Sequence, residues 1–279
     1  MQKANLRWLK TKPIYRYIAI PRRALFSARY VFSGVPAWLK WIFSSREESN
    51  FTYDLTDGNI LYLSHLLAVV TKRPAAEAQA YIEELRNDRA LSASLLDSLR
   101  NSEFRAVSDK RLGYSRRLGW YALVRLLKPE VVVETGVDKG LGAAVLCAAL
   151  KRNAEEGHRG KYLGTDIVPT AGWLLKAPYK EFGEILYGDS IESLTRLQDR
   201  IDIFINDSDH SADYEAQEYE TILPKMAPGG LILADNAHVT SKLAEFSRDH
   251  ARAFLFFKED PADHWYPGAG IGFSLPSEA

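Results

Sequence analysis

At 279 residues the chain has room for one large domain, or one domain with a smaller appendage. Lysine plus arginine equals aspartate plus glutamate at 36 each, but the balance is uneven: residues 1–46 hold ten basic side chains and no acid, leaving 26 basic against 36 acidic in the rest. One cysteine excludes an intrachain disulfide, and no apolar run reaches the ~20 residues of a spanning helix.

Basic residues continue through Arg22, Arg23 and Arg29, so the N-terminus does not read as a secretory signal. Aromatics interleave with them, among them Trp8, Phe26, Tyr30, Trp38 and Trp41. Such an arm can lie on an anionic membrane surface, bind single-stranded nucleic acid, or pack on its own body or a second subunit. Composition favours the first and last of these over nucleic acid. Pro21 and Pro36 break any single long helix, and Pro36–Ser45 suits a short interfacial one. The body is expected to be cytoplasmic, and the membrane reading of the arm would put it at the inner face.

Residues 50–112 read as helical. Thr56 or Asp57 can cap a helix with Ile60, Leu63, Leu67 and Val70 on one face. Pro74 can open a second helix with Tyr81, Ile82 and Leu85 on one face, and a third covers Leu91–Leu99. These would form a cap or an oligomerisation layer. A further amphipathic helix, Ser115–Leu127, stops before Pro129.

From Val131 onward the pattern alternates: strand 131–135, helix 140–152, strand 161–166, helix 171–180, strand 184–187, helix 190–198, strand 201–206, helix 212–225, strand 230–235, helix 239–249. That is the signature of a doubly wound, Rossmann-like α/β sheet. Ala253–Lys258 and Gly270–Leu275 read as a closing hairpin. Three regions follow: an arm at 1–49, a helical cap at 50–112 and the α/β domain at 113–279.

Ligands of such sheets bind beyond the carboxyl ends of the strands. Those ends carry Glu134 with the glycine turn Gly136–Gly142, then Asp166, Asp189–Ser190, Asn206-Asp207-Ser208-Asp209-His210, and Asp235-Asn236-Ala237-His238. Glycines let a backbone approach a ligand, and the amides opening the next helix point at it. Asp and Asn also favour turns and caps, so any one of these residues alone could be structural. The spacing Gly136-x-x-x-Gly140-x-Gly142 is not the Gly-x-Gly-x-x-Gly register of dinucleotide enzymes, which disfavours a nicotinamide-dependent oxidoreductase.

The succession Glu-Thr-Gly-Val-Asp-Lys-Gly, Gly-Thr-Asp-Ile, Gly-Asp-Ser, Ile-Asp-Ile-Phe-Ile-Asn-Asp and Pro-Gly-Gly-Leu-Ile-Leu-Ala-Asp-Asn resembles the class I S-adenosylmethionine-dependent methyltransferases over residues 113–279. The resemblance implies a seven-stranded sheet whose last strand is antiparallel. It implies that Glu134, Gly136 and Gly140 frame the methionine part of the cofactor, that Asp166 binds the ribose, and that Asp189 and Ser190 flank the adenine. Asp138 departs from the pattern, standing where many members have glycine. Asp207, Asp235 and Asn236 resemble the site of the magnesium-dependent O-methyltransferases of catechol and macrocin-sugar type, with His210 where the sugar enzymes have a general base. Three oxygen ligands suit Mg²⁺, and an imidazole titrating near neutrality can take a hydroxyl proton. Asp209 can orient His210 or cap the following helix. His238 and the loop His264-Trp265-Tyr266 are candidate contacts for the acceptor. The expected activity is O-methyl transfer to a sugar, glycolipid or other small natural-product hydroxyl. The alternatives are a metal-independent methyltransferase and a non-catalytic protein that keeps the fold.

Overall fold

The computed structural model describes Trp8, residues 10–49 and residues 51–276. They fall into two compact units, Met1–Ser45 with Asp263–Tyr266, and Arg46–Ala262 with Pro267–Ala279.

The first unit contains helices α1 (Tyr15–Ile18), α2 (Ile20–Val31) and α3 (Val35–Ser44). Pro21 and Pro36 lie in the opening turns of α2 and α3, where a missing N–H leaves no intrahelical bond unmade. None of the three helices has a buried residue. Leu25, Phe26, Tyr30, Val31 and Phe32 are between 62% and 71% exposed. Trp41 packs on Trp265 at 5.2 Å between ring centroids and on His264 at 6.4 Å, and Lys40 pairs with Asp263. No helix among the described residues is long and apolar enough to cross a membrane.

The second unit opens with helices α4 (Asp57–Thr71), α5 (Ala75–Arg86) and α6 (Arg89–Asn101). The Thr56 hydroxyl accepts from Asn59 N–H and starts α4; Asp88 accepts from Leu91 N–H and starts α6. Their buried faces carry Ile60, Leu63 and Leu67, then Ala78, Ile82 and Leu85, then Leu91, Leu95 and Leu99. Each fully buried leucine or isoleucine contributes about 1.5–3 kcal/mol relative to exposure. α4 and α5 pack on α7 (Arg117–Leu127), all of which except Leu127 is buried.

The sheet comprises β1 (Val131–Thr135), β2 (Lys161–Asp166), β3 (Gly183–Tyr187), β4 (Ile201–Asn206), β5 (Met226–Ala234), β6 (Ala253–Lys258) and β7 (Gly270–Leu275). The helices between are α8 (Leu141–Glu155), α9 (Ser190–Arg196), α10 (Ala212–Ile222) and α11 (Lys242–Asp249). Strand order is β3-β2-β1-β4-β5-β7-β6, with β7 antiparallel to both neighbours, as the family resemblance implied. Five β-branched or bulky side chains of the parallel strands, Val131, Val133, Leu163, Phe204 and Ile232, meet Tyr219, Ile222, Leu243 and Phe246 in one core. The order reverses between β1 and β4, so the ends of these two strands open a crevice.

One expected element is absent. The helix expected at 171–180 is a run of turns ending in a short 3₁₀ segment, Tyr179–Phe182. Gly172 takes φ +75°, and the amides of Gly172 and Leu174 donate to the carbonyls of Asp138 (2.7 Å) and Lys139 (2.9 Å) instead of to a helical ladder. α10 stops at Ile222, short of the expected 225, because Pro224 has no N–H to continue it. β5 starts at Met226, earlier than its apolar run suggested.

Candidate active site

The strand ends enclose a cleft of about 630 Å³. Its walls include Gly136 and Asp138 after β1, Asp166 to Val168 after β2, Asp189 and Ser190 after β3, and Asp207 to Asp209 after β4. Lys139, Ala171, Tyr214 and the pair Phe104 and Trp173, stacked at 5.6 Å, line it as well. Hydrogen bonds carry the sheet past its formal ends: Gly136 N–H to Thr165 C=O, Asp207 N–H to Thr135 C=O, Asp235 N–H to Asn206 C=O, at 2.9, 2.9 and 2.8 Å. Gly136, at φ +80°, faces the Asp207 carbonyl so closely that a Cβ would stand 2.0 Å from it. Only glycine fits there.

On the β1–β3 side, the carboxylates are held by local backbone. Asp166 accepts from Asp138 N–H at 2.9 Å and from Val168 N–H at 2.8 Å. Asp138 adopts φ +47°, a left-handed conformation that aspartate tolerates better than most residues, which accounts for its place in a glycine position. Asp189 caps α9 through Glu192 N–H and also accepts from the Tyr214 hydroxyl, both at 2.9 Å. Ser190 is buried and donates to Glu218. Glu218, from α10, also accepts from Thr135, Asn206 and Ser208, so one buried carboxylate ties together the ends of β1 and β4 and the start of α9. Gly140 lies behind the cleft against Gly172. The Glu134 side chain is buried under the loop, bonded by the Tyr162 hydroxyl and facing Gly142; burial pushes its carboxyl up to about 7. Neither Glu134 nor Gly140 is among the lining residues.

The β4–β5 side is built differently. Oxygen or nitrogen atoms of Asp207, His210 and Asp235 lie within 4.8 Å of one another. His210 Nε2 stands 3.7 Å from Asp207 Oδ1 and 3.1 Å from Asn236 Nδ2. Its Nδ1 faces the buried Glu215 at 3.6 Å. The facing Glu215 carboxylate, working against burial, raises the His210 pKa above its usual value. Asp209 instead accepts from the amide and hydroxyl of Ser211, the residue just before α10, in the turn that leads into that helix.

Asp235 is fully buried and grips Arg116 through both carboxylate oxygens. Burial opposes its ionisation, but the Arg116 guanidinium holds its carboxyl below the usual range. Burial and the neighbouring Asp235 charge push the Asp207 carboxyl well above that range. The Arg116 amide donates to Glu259, which also accepts from the Tyr53 hydroxyl, at 2.8 Å each.

His238 is exposed two residues beyond Asn236, its pKa lowered by desolvation and by Lys258. His264, Trp265 and Tyr266 group with the N-terminal unit, and none of them is among the cleft-lining residues.

Arg116, Glu215 and Glu218 escape the strand-end reading. The two glutamates had a visible signal, since they occupy the helical face of Tyr219 and Ile222, where an acid must be buried and therefore bonded. Arg116 had a weaker one, an arginine pair ahead of an almost wholly apolar helix.

Comparison with known proteins agrees with this architecture. Residues 133–237 match the family model of a methyltransferase domain. An O-methyltransferase from Bacillus cereus in complex with SAH superposes with a TM-score of 0.52 at 14% identity, over 66% of this chain and 91% of that one. An SAH-bound methyltransferase from Podospora anserina gives 0.53 at 16%, over 73% and 95%. The O-methyltransferase TomG from Streptomyces achromogenes, in complex with SAM, gives 0.50 at 16%, over 69% and 91%. No curated protein sequence matches the chain. The family match over residues 133–237 and the strand order agree: the α/β region has the fold of the class I S-adenosylmethionine-dependent methyltransferases.

Proposed function

We propose that the protein transfers a methyl group from S-adenosylmethionine to a hydroxyl of a sugar, glycolipid or other small natural product. The observation that carries this reading is the convergence of Asp207, His210 and Asp235, with Asp207 on the cleft wall and His210 behind it. Methyl transfer runs in line from sulfonium to oxygen, so the chain's contribution is to hold donor and acceptor aligned and to remove the hydroxyl proton. With Nδ1–H directed at Glu215, the His210 lone pair on Nε2 faces Asp207 and Asn236, ready to take that proton. Asp166, Asp189 and Ser190 hold the nucleoside, and Glu134, Gly136 and Gly140 shape the loop at the methionine end.

The donor set fits a divalent cation: two adjacent carboxylates share the charge of Arg116, so a second positive charge between them offsets the repulsion that raises the Asp207 carboxyl. Asp207, Asp235 and the Asn236 amide oxygen would hold Mg²⁺, which supplies Lewis-acid stabilisation of the acceptor alkoxide. Arg116 favours a second reading without metal, since it already neutralises Asp235 through both oxygens.

The N-terminal unit suits an acceptor presented at an anionic membrane surface. Arg22, Arg23 and Arg29 accompany the exposed Leu25, Phe26, Tyr30 and Val31 on α2.

Calorimetry with S-adenosylmethionine and with NAD, followed by labelled methyl transfer to hydroxyl acceptors, tests the core of this. Tight NAD binding without S-adenosylmethionine binding overturns it; binding without turnover on any acceptor points to a non-catalytic protein. Turnover that survives EDTA selects the metal-independent reading. Arg22→Glu/Phe26→Glu protein that sediments with anionic liposomes as the unaltered chain does removes the membrane role.

A further inference from the structure

The two arginines that open the α7 region have different fates. Arg116 is neutralised by Asp235 and Glu259. Arg117 is 8% exposed, and among the described residues no carboxylate pairs with it. Among the described residues its guanidinium makes one hydrogen bond, a 3.5 Å contact from Nη1 to the Ser115 hydroxyl, and its Nε is buried with no acceptor. The guanidinium rests on the rings of Phe51 and Trp120, at 5.6 Å from each centroid. A second cation meets the same Phe51 ring. Lys139 Nζ lies 3.8 Å from its centroid, and its charge also favours the ionised form of the buried Glu47. Lys139 belongs to the glycine loop and lines the cofactor cleft.

Aromatic faces hold a cation in place and offset part of its desolvation without cancelling its charge. Arg117 lies near enough to Glu134, Asp207 and Asp235 to favour their ionised forms, but none of them bonds the guanidinium, whose buried Nε–H still lacks an acceptor. Phe51 is fixed for this task by the segment it belongs to. Ser115 N–H donates to the Tyr53 carbonyl at 3.1 Å, and Gly113 approaches that carbonyl so closely that a Cβ would stand 2.3 Å away. A bridge from Leu55 to Pro261 anchors the same segment further on.

The methionine end of S-adenosylmethionine carries two cationic groups, the sulfonium and the ammonium, and one anion, the α-carboxylate. Glu134, Asp166 and Asp207 give this end of the domain an acidic character that suits the first two and opposes the third. We infer that Lys139 and Arg117, braced on Phe51, form the subsite for the cofactor's α-carboxylate, Lys139 touching it from the cleft wall and Arg117 supplying the buried charge behind. This rests on the cofactor reading given above and adds the residues that distinguish a full amino-acid tail from a truncated one.

Calorimetry on the full chain tests it with two ligands, S-adenosylhomocysteine and its carboxylate-free analogue, the 5′-aminopropylthio adenosine. The unaltered protein is expected to prefer S-adenosylhomocysteine. Lys139→Met is expected to weaken S-adenosylhomocysteine about 10–100-fold, the worth of a charge-assisted hydrogen bond, and to leave the analogue unchanged. Arg117→Met acts in the same direction, Arg117→Lys restores part of the preference, and thermal melts confirm folding of each variant. Equal loss for both ligands in Lys139→Met, or no preference in the unaltered protein, overturns the subsite while leaving the cofactor reading intact. Failure of both ligands to bind the unaltered protein overturns the cofactor reading and the subsite together.

Discussion

The two sides of the cleft use the same residue at the same place, an aspartate just past a strand, and satisfy it by different means. Asp166 and Asp189 take backbone N–H groups from within three residues, or across the adjacent loop, so their geometry comes with the turn that contains them. Asp207 and Asp235 lie side by side and depend on Arg116, which is 119 residues from Asp235. A carboxylate held by its own loop is pre-set before any ligand arrives. A carboxylate pair balanced by a distant guanidinium stores a charge imbalance that a proton, a metal ion or a reacting group can relieve.

The largest expected effect breaks that balance directly. Asp235→Ala removes both of the carboxylate contacts to the Arg116 guanidinium, leaving it Glu259 alone at 3.6 Å, and is expected to cost about 3 kcal/mol in urea denaturation. Asp166→Ala, whose partners are near-surface amides, is expected to cost about 1 kcal/mol and to show its effect in cofactor affinity instead. Similar stability losses in the two variants would erase the distinction between the sides. Next comes function: His210→Ala should lower kcat about 10²–10⁴-fold while leaving S-adenosylmethionine affinity nearly intact. An equal loss of both would make His210 a structural residue.

A smaller effect sharpens the electrostatics. His210 is raised above its usual pKa by the facing Glu215 carboxylate, and the base acts when neutral, so activity climbs as pH passes above that raised value. Glu215→Gln removes the charge that favours the imidazolium and should move the acid limb of kcat/KM to lower pH. An unmoved limb would detach Glu215 from the base. The last test concerns stability. Glu134 titrates near 7 when folded against 4.5 unfolded. The native state therefore binds more protons between these values, and stability falls as pH rises through that window, by roughly 3 kcal/mol in all. Melts of Glu134→Gln should show the variant gaining on the unaltered protein from pH 4.5 to 8. A pH-independent difference would mean that Glu134 is not buried in its charged form.

Much of the α/β region could be read directly, because β-branched runs, glycine turns and capping acids are local signals. β1, α8, β2 and the closing hairpin follow from Val131–Thr135, Gly136–Gly140 and Ala253–Leu275 with small shifts at the ends. The helix expected between β2 and β3 failed because its apolar residues serve another purpose: Ala171 and Trp173 face the cleft, and the amides of Gly172 and Leu174 belong to the β1–α8 loop. Asp207 and Asp235 stood out as acids at strand ends, yet Arg116, Arg117 and Phe51 did not, since nothing in a helix opening or an extended segment announces a contact more than twenty residues away.

The close approach of Gly140 and Gly172 has a consequence for motion. A Cβ on Gly140 would stand 2.7 Å from the Gly172 Cα, and two hydrogen bonds join the same pair of loops. The loop after β1 and the connection after β2 thus form one mechanical piece, and a ligand that quiets the first must quiet the second. In hydrogen–deuterium exchange, cofactor binding should slow the amides of Gly172 and Leu174 in step with Gly136 and Gly140. The footprint of the donor would then extend along the connection to Trp173, reaching the aromatic wall that the helical cap shares through Phe104.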